Sequence, residues 1–211
     1  MLQGCSLPSD AFPDWERDFG RQAPLEVEVG PGRGAFALDH ARLHPERDLL
    51  AIESRRSDCE LIRGRAERRG LRNLLVIHGD AKLLLPRFFR EGQLAAVHVQ
   101  FPDPWWKTRH HKRRMIDVEL AALFRKLLAQ GGEVDFRTDV PAYFREASQT
   151  WLDAGFVQLP DAAPEVLSTR ERRYAVTGQP VFRARYANPS VAEPAIATDR
   201  TGRDWRDLRR K

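Results

Sequence analysis

One acid in the segment VQFPDPWWKTRHHKRRM (99–115) stands apart from its surroundings. Asp103 lies between Pro102 and Pro104, ahead of Trp105 and Trp106, and then comes an unbroken basic and imidazole run from Arg109 to Arg114. The two prolines restrict the backbone on both sides of the acid and stiffen the turn. A tryptophan here can stack on a base or wall a pocket. Lys107, Arg109, Lys112, Arg113 and Arg114, with His110 among them, can hold phosphates. The chemistry on offer is a carboxylate facing reacting atoms at the lip of a platform for a polyanion. The plain alternative is a capped loop before a solvated basic helix, but two prolines flanking an acid serve no packing purpose.

A second constellation lies upstream. EVGPGRG (28–34) places Gly30, Gly32 and Gly34 after a short alternating run, and glycine permits a tight turn and close approach of backbone to ligand. The spacing G-x-G-x-G is not the dinucleotide fingerprint, and no lysine follows as in a phosphate-binding P-loop. Three acids sit at successive strand ends: Glu28 just before the turn, Glu53 in AIES, and Asp80 in HGDA. An acid at the end of the second strand is placed to accept hydrogen bonds from ribose hydroxyls. Asp80 and its backbone could hold an adenine edge, and each acid could instead cap a helix. An acid before the glycine turn suits a cationic ligand better than a pyrophosphate, so S-adenosylmethionine fits better than NAD.

These residues need a scaffold that brings strand ends together. LEVEV (25–29), DLLAIES (48–54), NLLVIHGD (73–80), LAAVHVQF (94–101) and EVDFRTD (133–139) read as strands. Helical patterns separate them: AFALDHARLHP, SDCELIRGRAERRG closed by Gly70, AKLLLPRFF interrupted by Pro86, 116–130 stopping at Gly131-Gly132, and 140–155 with Pro141 in its first turn. Strands alternating with helices imply an α/β protein with a mostly parallel sheet covered on both faces. FVQL and PVFRARYA follow with no helix expected between them, so they are read as an antiparallel pair at one edge. The domain is placed at 24–188. It follows an N-terminal segment, 1–23, with a short helix in DWERDFG, and precedes a basic, flexible tail, 189–211.

The chain has 211 residues, 42% hydrophobic and 31% charged, with a formal net charge of +5. That suits one globular domain with tails. Basic clusters at 109–114, 170–173 and in the tail point together to nucleic acid. No apolar run reaches membrane-spanning length and the start lacks signal-peptide features, so a cytoplasmic protein without membrane contact is expected. Two cysteines, Cys5 and Cys59, make no metal framework, and no metal is expected.

Taken in order and spacing, EVGPGRG, AIES, HGDA, FPDPWWKTRHHKRR and RTD resemble the bacterial tRNA (guanine-N7)-methyltransferases from about Asp14 to Tyr186. The FPDPW-x-K-x-R-H-x-K-R-R motif is specific to that family; the glycine turn alone is not. The resemblance implies a doubly wound, Rossmann-like, seven-stranded methyltransferase fold, S-adenosylmethionine as donor, and transfer to N7 of a guanosine in the variable loop of tRNA. By position it implies donor contacts at Glu28, Glu53, Asp80 and Asp103, with Asp103 also the catalytic acid. It implies substrate contacts at Lys107 and Asp139, and RNA contacts along Arg109 to Arg114. The family's late T-x-aromatic-E motif falls on Ser168, Thr169, Arg170 and Glu171, where Arg170 replaces the aromatic residue. The protein is expected to be a monomer or homodimer. The rival readings are a methyltransferase fold that binds tRNA without modifying it or acts on a shifted RNA substrate, and an NAD-dependent enzyme. Intact Glu28, Glu53, Asp80, Asp103 and Asp139 argue against a protein that binds tRNA without modifying it, and the glycine spacing and the FPDPW motif argue against the NAD-dependent enzyme.

Overall fold

A computed structural model of the chain describes residues 12–104 and 115–189. Seven strands form one sheet: β1 Leu25–Val29, β2 Asp48–Glu53, β3 Leu74–His78, β4 Leu94–Gln100, β5 Leu128–Thr138, β6 Val157–Gln158 and β7 Phe182–Ala187. Their spatial order is β3-β2-β1-β4-β5-β7-β6. Strands β1 to β5 run parallel, β7 is antiparallel to β5, and β6 is antiparallel to β7. The order reverses between β1 and β4, which opens a crevice beyond their carboxyl ends.

Strand alternation divides the chain into two unlike faces. Leu25, Val27 and Val29 of β1, Val97 and Val99 of β4, and Val134 and Phe136 of β5 join the larger apolar core. Helices α4 (Ala81–Phe88), α5 (Val118–Leu127) and α6 (Pro141–Asp153) contribute to that core, where Trp151 is fully buried and stacks on Phe124 at 5.6 Å. Trp15 of α1 (Trp15–Phe19) also packs there, at 5.5 Å from Phe89, so the core draws on the segment before residue 24. On the other face, α2 (Ala35–Leu43) and α3 (Arg56–Arg68) cover β2 and β3 through a smaller cluster that includes Leu38, Leu49 and Ile62. Opposite the large core, β1, β4 and β5 carry Glu26, Glu28, His98, Gln100, Asp135 and Arg137. All but half-buried Asp135 are buried.

Three expectations change. α5 ends at Leu127 rather than residue 130, and Gly131 and Gly132 lie inside β5. The glycines mark a bulge instead of a helix stop, because Asn188 holds this corner. Its Nδ2 donates to the Leu128 carbonyl at 2.8 Å, and its backbone carbonyl accepts from Gly131 N at 2.8 Å. Pro86 sits within α4, which continues through it to Phe88. A helix, α7 (Thr169–Thr177), separates β6 from β7. Its sequence TRERRYAVT has no apolar stripe; of its nine residues only Glu171 and Tyr174 are buried.

A Cβ added at Gly132 would stand 2.9 Å from the Ala129 carbonyl oxygen and 3.0 Å from that of Leu94. These are backbone atoms that cannot swing away. Gly132→Ala should therefore cost about 1–3 kcal/mol, the usual range for overpacking. Urea unfolding measures it, and an unchanged midpoint would show that the bulge is slack.

Candidate active site

The glycine turn closes β1 and opens α2. Gly30, Gly32 and Gly34 have φ of 71°, 56° and 75°, in the left-handed region. A Cβ at Gly34 would meet Ile62 Cγ1 at 2.5 Å, so this glycine lets α2 pack on α3. Gly30 and Gly32 instead face open space, with nothing within 4 Å of an added Cβ. Glu53, at the end of β2, braces the turn. Its carboxylate accepts from Gly32 N at 2.9 Å, Arg55 N at 2.8 Å and Ser54 Oγ at 3.1 Å. A ribose would share an acid whose position is already fixed. Asp80 is exposed after β3 and caps α4, accepting from Lys82 N at 2.9 Å.

The switch point holds two side chains with buried polar atoms that lack hydrogen-bond partners. Glu28 is 2% exposed, and its Oε2 has no hydrogen-bond partner. Burial pushes its carboxyl up to about 8, against the pull of His98 and Arg137. On β4, both amide atoms of Gln100 are buried and unpartnered. A buried polar group without a partner is costly, and such groups gather where a ligand completes them. The chain then leaves the sheet at Phe101, the one non-glycine with positive φ (51°) among the described residues. Its N–H donates to the Arg137 carbonyl at 2.7 Å. This strained residue turns Pro102-Asp103-Pro104 outward and leaves Asp103 exposed. Trp105, Trp106, Lys107 and Arg109 to Arg114 lie outside the described residues.

Asp139, just past β5, accepts from Tyr174 Oη at 2.5 Å and lies 3.6 Å from the Arg170 guanidinium. Arg170 also lies over the Phe101 ring, 5.2 Å from its centroid. The residue that replaces the family's aromatic thus ties α7 to both Asp139 and the start of the FPDP turn. Ser168 and Glu171 form a capping box for α7. Ser168 Oγ accepts from Glu171 N at 3.3 Å, and Glu171 Oε2 accepts from Ser168 N at 2.8 Å. Glu171 is buried and ion-paired to Arg137 (3.0 Å) and Arg183 (2.7 Å). Against the cost of burial, Arg137 holds its carboxyl below the ordinary range. These contacts make Ser168 and Glu171 the anchor of α7, whose Arg170 and Tyr174 reach Asp139. Sequence reasoning missed Gln100, Arg137 and Tyr174. The signal for the first two was polar residues alternating in strands that are buried on both faces.

Residues 22–184 match the family described as "Putative methyltransferase". A tRNA (guanine-N(7)-)-methyltransferase of Anaeromyxobacter dehalogenans (strain 2CP-C) is 51% identical over 184 residues, which are 83% of this chain and 92% of that protein. This chain belongs to that methyltransferase family. A relative of the same name from Myxococcus xanthus (strain DK1622) is 44% identical over 84% of this chain and 90% of its own length. Among solved structures, the 16S rRNA methyltransferase KamB superposes with a TM-score of 0.60 at 18% identity, covering 84% of this chain and 93% of its own. The aminoglycoside resistance methyltransferase NpmB1 gives 0.58 at 19% identity, covering 82% and 91%. At such identities the likeness establishes the fold.

The family's donor, S-adenosylmethionine, fits what the turn offers. Open space lies over Gly30 and Gly32, and the unpartnered Glu28 Oε2 suits a cation.

Glu28 also sets a pH dependence. Its folded value of about 8 lies above the ordinary 4.5, so its contribution to stability is full below pH 4.5 and is lost as pH rises toward 8. The slope reaches at most about 1.4 kcal/mol per pH unit. Without donor, Glu28→Gln should gain stability relative to the parent as pH rises from about 5 to 8. Urea midpoints measure this, and parallel pH curves would show that Glu28 is ionised in the folded chain.

Proposed function

We propose that this protein transfers a methyl group from S-adenosylmethionine to N7 of a guanosine in tRNA, in the variable loop. The observation that carries the reading is the FPDP turn. It projects an exposed Asp103 from the β4 end at the switch point, in a chain 51% identical to a tRNA (guanine-N(7)-)-methyltransferase. No described helix is long and apolar enough to cross a membrane.

Bound S-adenosylmethionine supplies a methyl group on a positively charged sulfur. Glu28 and Gln100 would hold the donor from the β1 and β4 ends, with Gly30, Gly32 and Gly34 giving its backbone cradle. Glu53 would add an acceptor for the ribose, and Asp80 would border the base. Guanine N7 has a lone pair and carries no proton, so the protein needs no general base. Its task is alignment of the two reactants and exclusion of water. Lys107 and Arg109, His110, Lys112, Arg113 and Arg114 would grip the RNA. Asp139, fixed by Tyr174 and Arg170, would position the guanine through its edge donors. Asp103 would stabilise the positive charge that methylation leaves on the imidazole ring.

Incubation of the protein with tRNA and labelled donor, followed by mapping of N7-methylguanosine, tests the reading. Methylation of guanosine is expected, and tRNA binding without methyl transfer would favour a binding protein on a methyltransferase fold.

Asp103 gives the sharper test. Asp103→Ala should remove most methyl transfer with the fold intact, since the residue is exposed. Asp103→Asn keeps the shape and removes the charge. Its single-turnover rate should fall by about a hundredfold or more, the scale of a preorganised electrostatic group, with tRNA affinity little changed. A near-normal rate for Asp103→Asn would leave the carboxylate with a turn-capping role only.

A further inference from the structure

Away from the strand ends, a cavity of about 470 Å³ opens on the charged face of the sheet, between α2 and the segment 160–166. At its wall sit three buried side chains from three elements: Glu26 of β1, His40 of α2 and His98 of β4. Both imidazoles point their Nε2 at one carboxylate oxygen. Glu26 Oε2 lies 2.7 Å from His40 Nε2 and 2.9 Å from His98 Nε2. The three atoms fall within 4.8 Å of one another. None of these residues has a part in the donor or guanine chemistry above.

We propose that Glu26, His40 and His98 form a site for a divalent transition metal of the zinc class. Two imidazoles and one carboxylate are a donor set that zinc accepts while keeping a further position open. Opposite ligand atoms on such an ion stand about 4 Å apart at most, twice a bond of roughly 2.1 Å, and the two nitrogen–oxygen pairs, at 2.7 and 2.9 Å, lie inside that span.

The surroundings are those of a metal centre rather than of a lone ion pair. His98 Nδ1 faces Asp135 Oδ2 at 3.4 Å, the carboxylate–histidine arrangement that fixes a ligating ring. Asp135 is in turn held by Arg137 Nη2 at 2.6 Å. Glu26 Oε1, the oxygen turned away from the rings, accepts from Arg47 Nη1 at 2.5 Å. All three residues line the cavity, which would give water access to a further position. An ion here displaces the hydrogens of the two Nε2 atoms and leaves each ring a neutral imidazole with its one proton on Nδ1, any proton in excess of that leaving to solvent. It ties α2 to β1 and β4, two residues along β1 from Glu28. The expectation of no metal rested on the cysteines. This set carries none, and its three residues are scattered over 73 positions of sequence.

The test uses the full chain, free of affinity tags and stripped of metal, titrated with Co2+ as a spectroscopic probe and then with Zn2+. One Co2+ per chain with visible d–d bands is expected, displaced by Zn2+. His40→Gln and Glu26→Gln should each abolish that stoichiometric binding. Asp135→Asn should weaken it by about 10–100-fold, as loss of an outer-shell partner does. A variant lacking His110 and His111, the two adjacent histidines in the sequence, should bind as the parent does. Should the buried variants fail to fold, histidine ring resonances of the unmodified protein decide. Zn2+ must shift those of His40 and His98. Absence of a stoichiometric site, shifts confined to other histidines, or undiminished binding by folded His40→Gln would each overturn the proposal.

Discussion

Arg137 cannot be buried without its acids, and much of the molecule is arranged around that requirement. Taking a guanidinium out of water costs several kcal/mol unless hydrogen bonds and counter-charges are in place. Here Asp135 accepts at 2.6 and 3.1 Å, Glu171 at 3.0 Å and the Val166 carbonyl at 2.8 Å. Glu171 is at once the capping residue of α7 and the counter-ion of Arg137 and Arg183. A helix with almost no apolar face is therefore docked by charge. Its docking delivers Tyr174 and Arg170 to Asp139 and Phe101, at the mouth of the crevice.

The same face explains the odd state of Glu28. Its neighbours are compensated. Glu26 is held well below the usual carboxylate range by His40 and His98 despite burial, and Asp135 likewise by His98 and Arg137. His98, opposed by burial but supported by Asp135 and Glu26, is held up to about 9. In the cross-strand row Glu28–His98–Asp135, His98 and Asp135 satisfy each other. Glu28 Oε2 is left over at the edge nearest the glycine turn. An acid left over in a charge-satisfied layer is a place prepared for a positive ligand.

The path from sequence to site was legible where one local rule decided the outcome. Strand periodicity and the glycine turn gave the five parallel strands, and Pro141 marked the start of α6. The resemblance carried by FPDPWWKTRHHKRR pointed to the methyltransferase fold. Elements set by distant partners were hidden. Gly131-Gly132 reads as a helix stop unless Asn188 is known to hold a bulge there. Thr169–Thr177 reads as a charged loop because its docking runs through Glu171. LEVEV announces a strand, but not that Glu26 and Glu28 are buried, since only the fold shows what covers them. Ser168 and Glu171, expected at the substrate, form a capping box, a four-residue pattern equally visible in the sequence.

If Glu28 is the counter-charge for the donor, binding must change its protonation. With a value of about 8 in the free protein, it carries its proton at neutral pH. A cation beside it favours the carboxylate and expels that proton. Calorimetric titration of S-adenosylmethionine in buffers of different ionisation enthalpy counts the protons released. About one proton per donor is expected near pH 7, falling away above about pH 9, where Glu28 is already ionised, and none should be released through this route in Glu28→Gln. Tight binding to the unmodified protein with no proton release, or the same release in Glu28→Gln, would contradict the account.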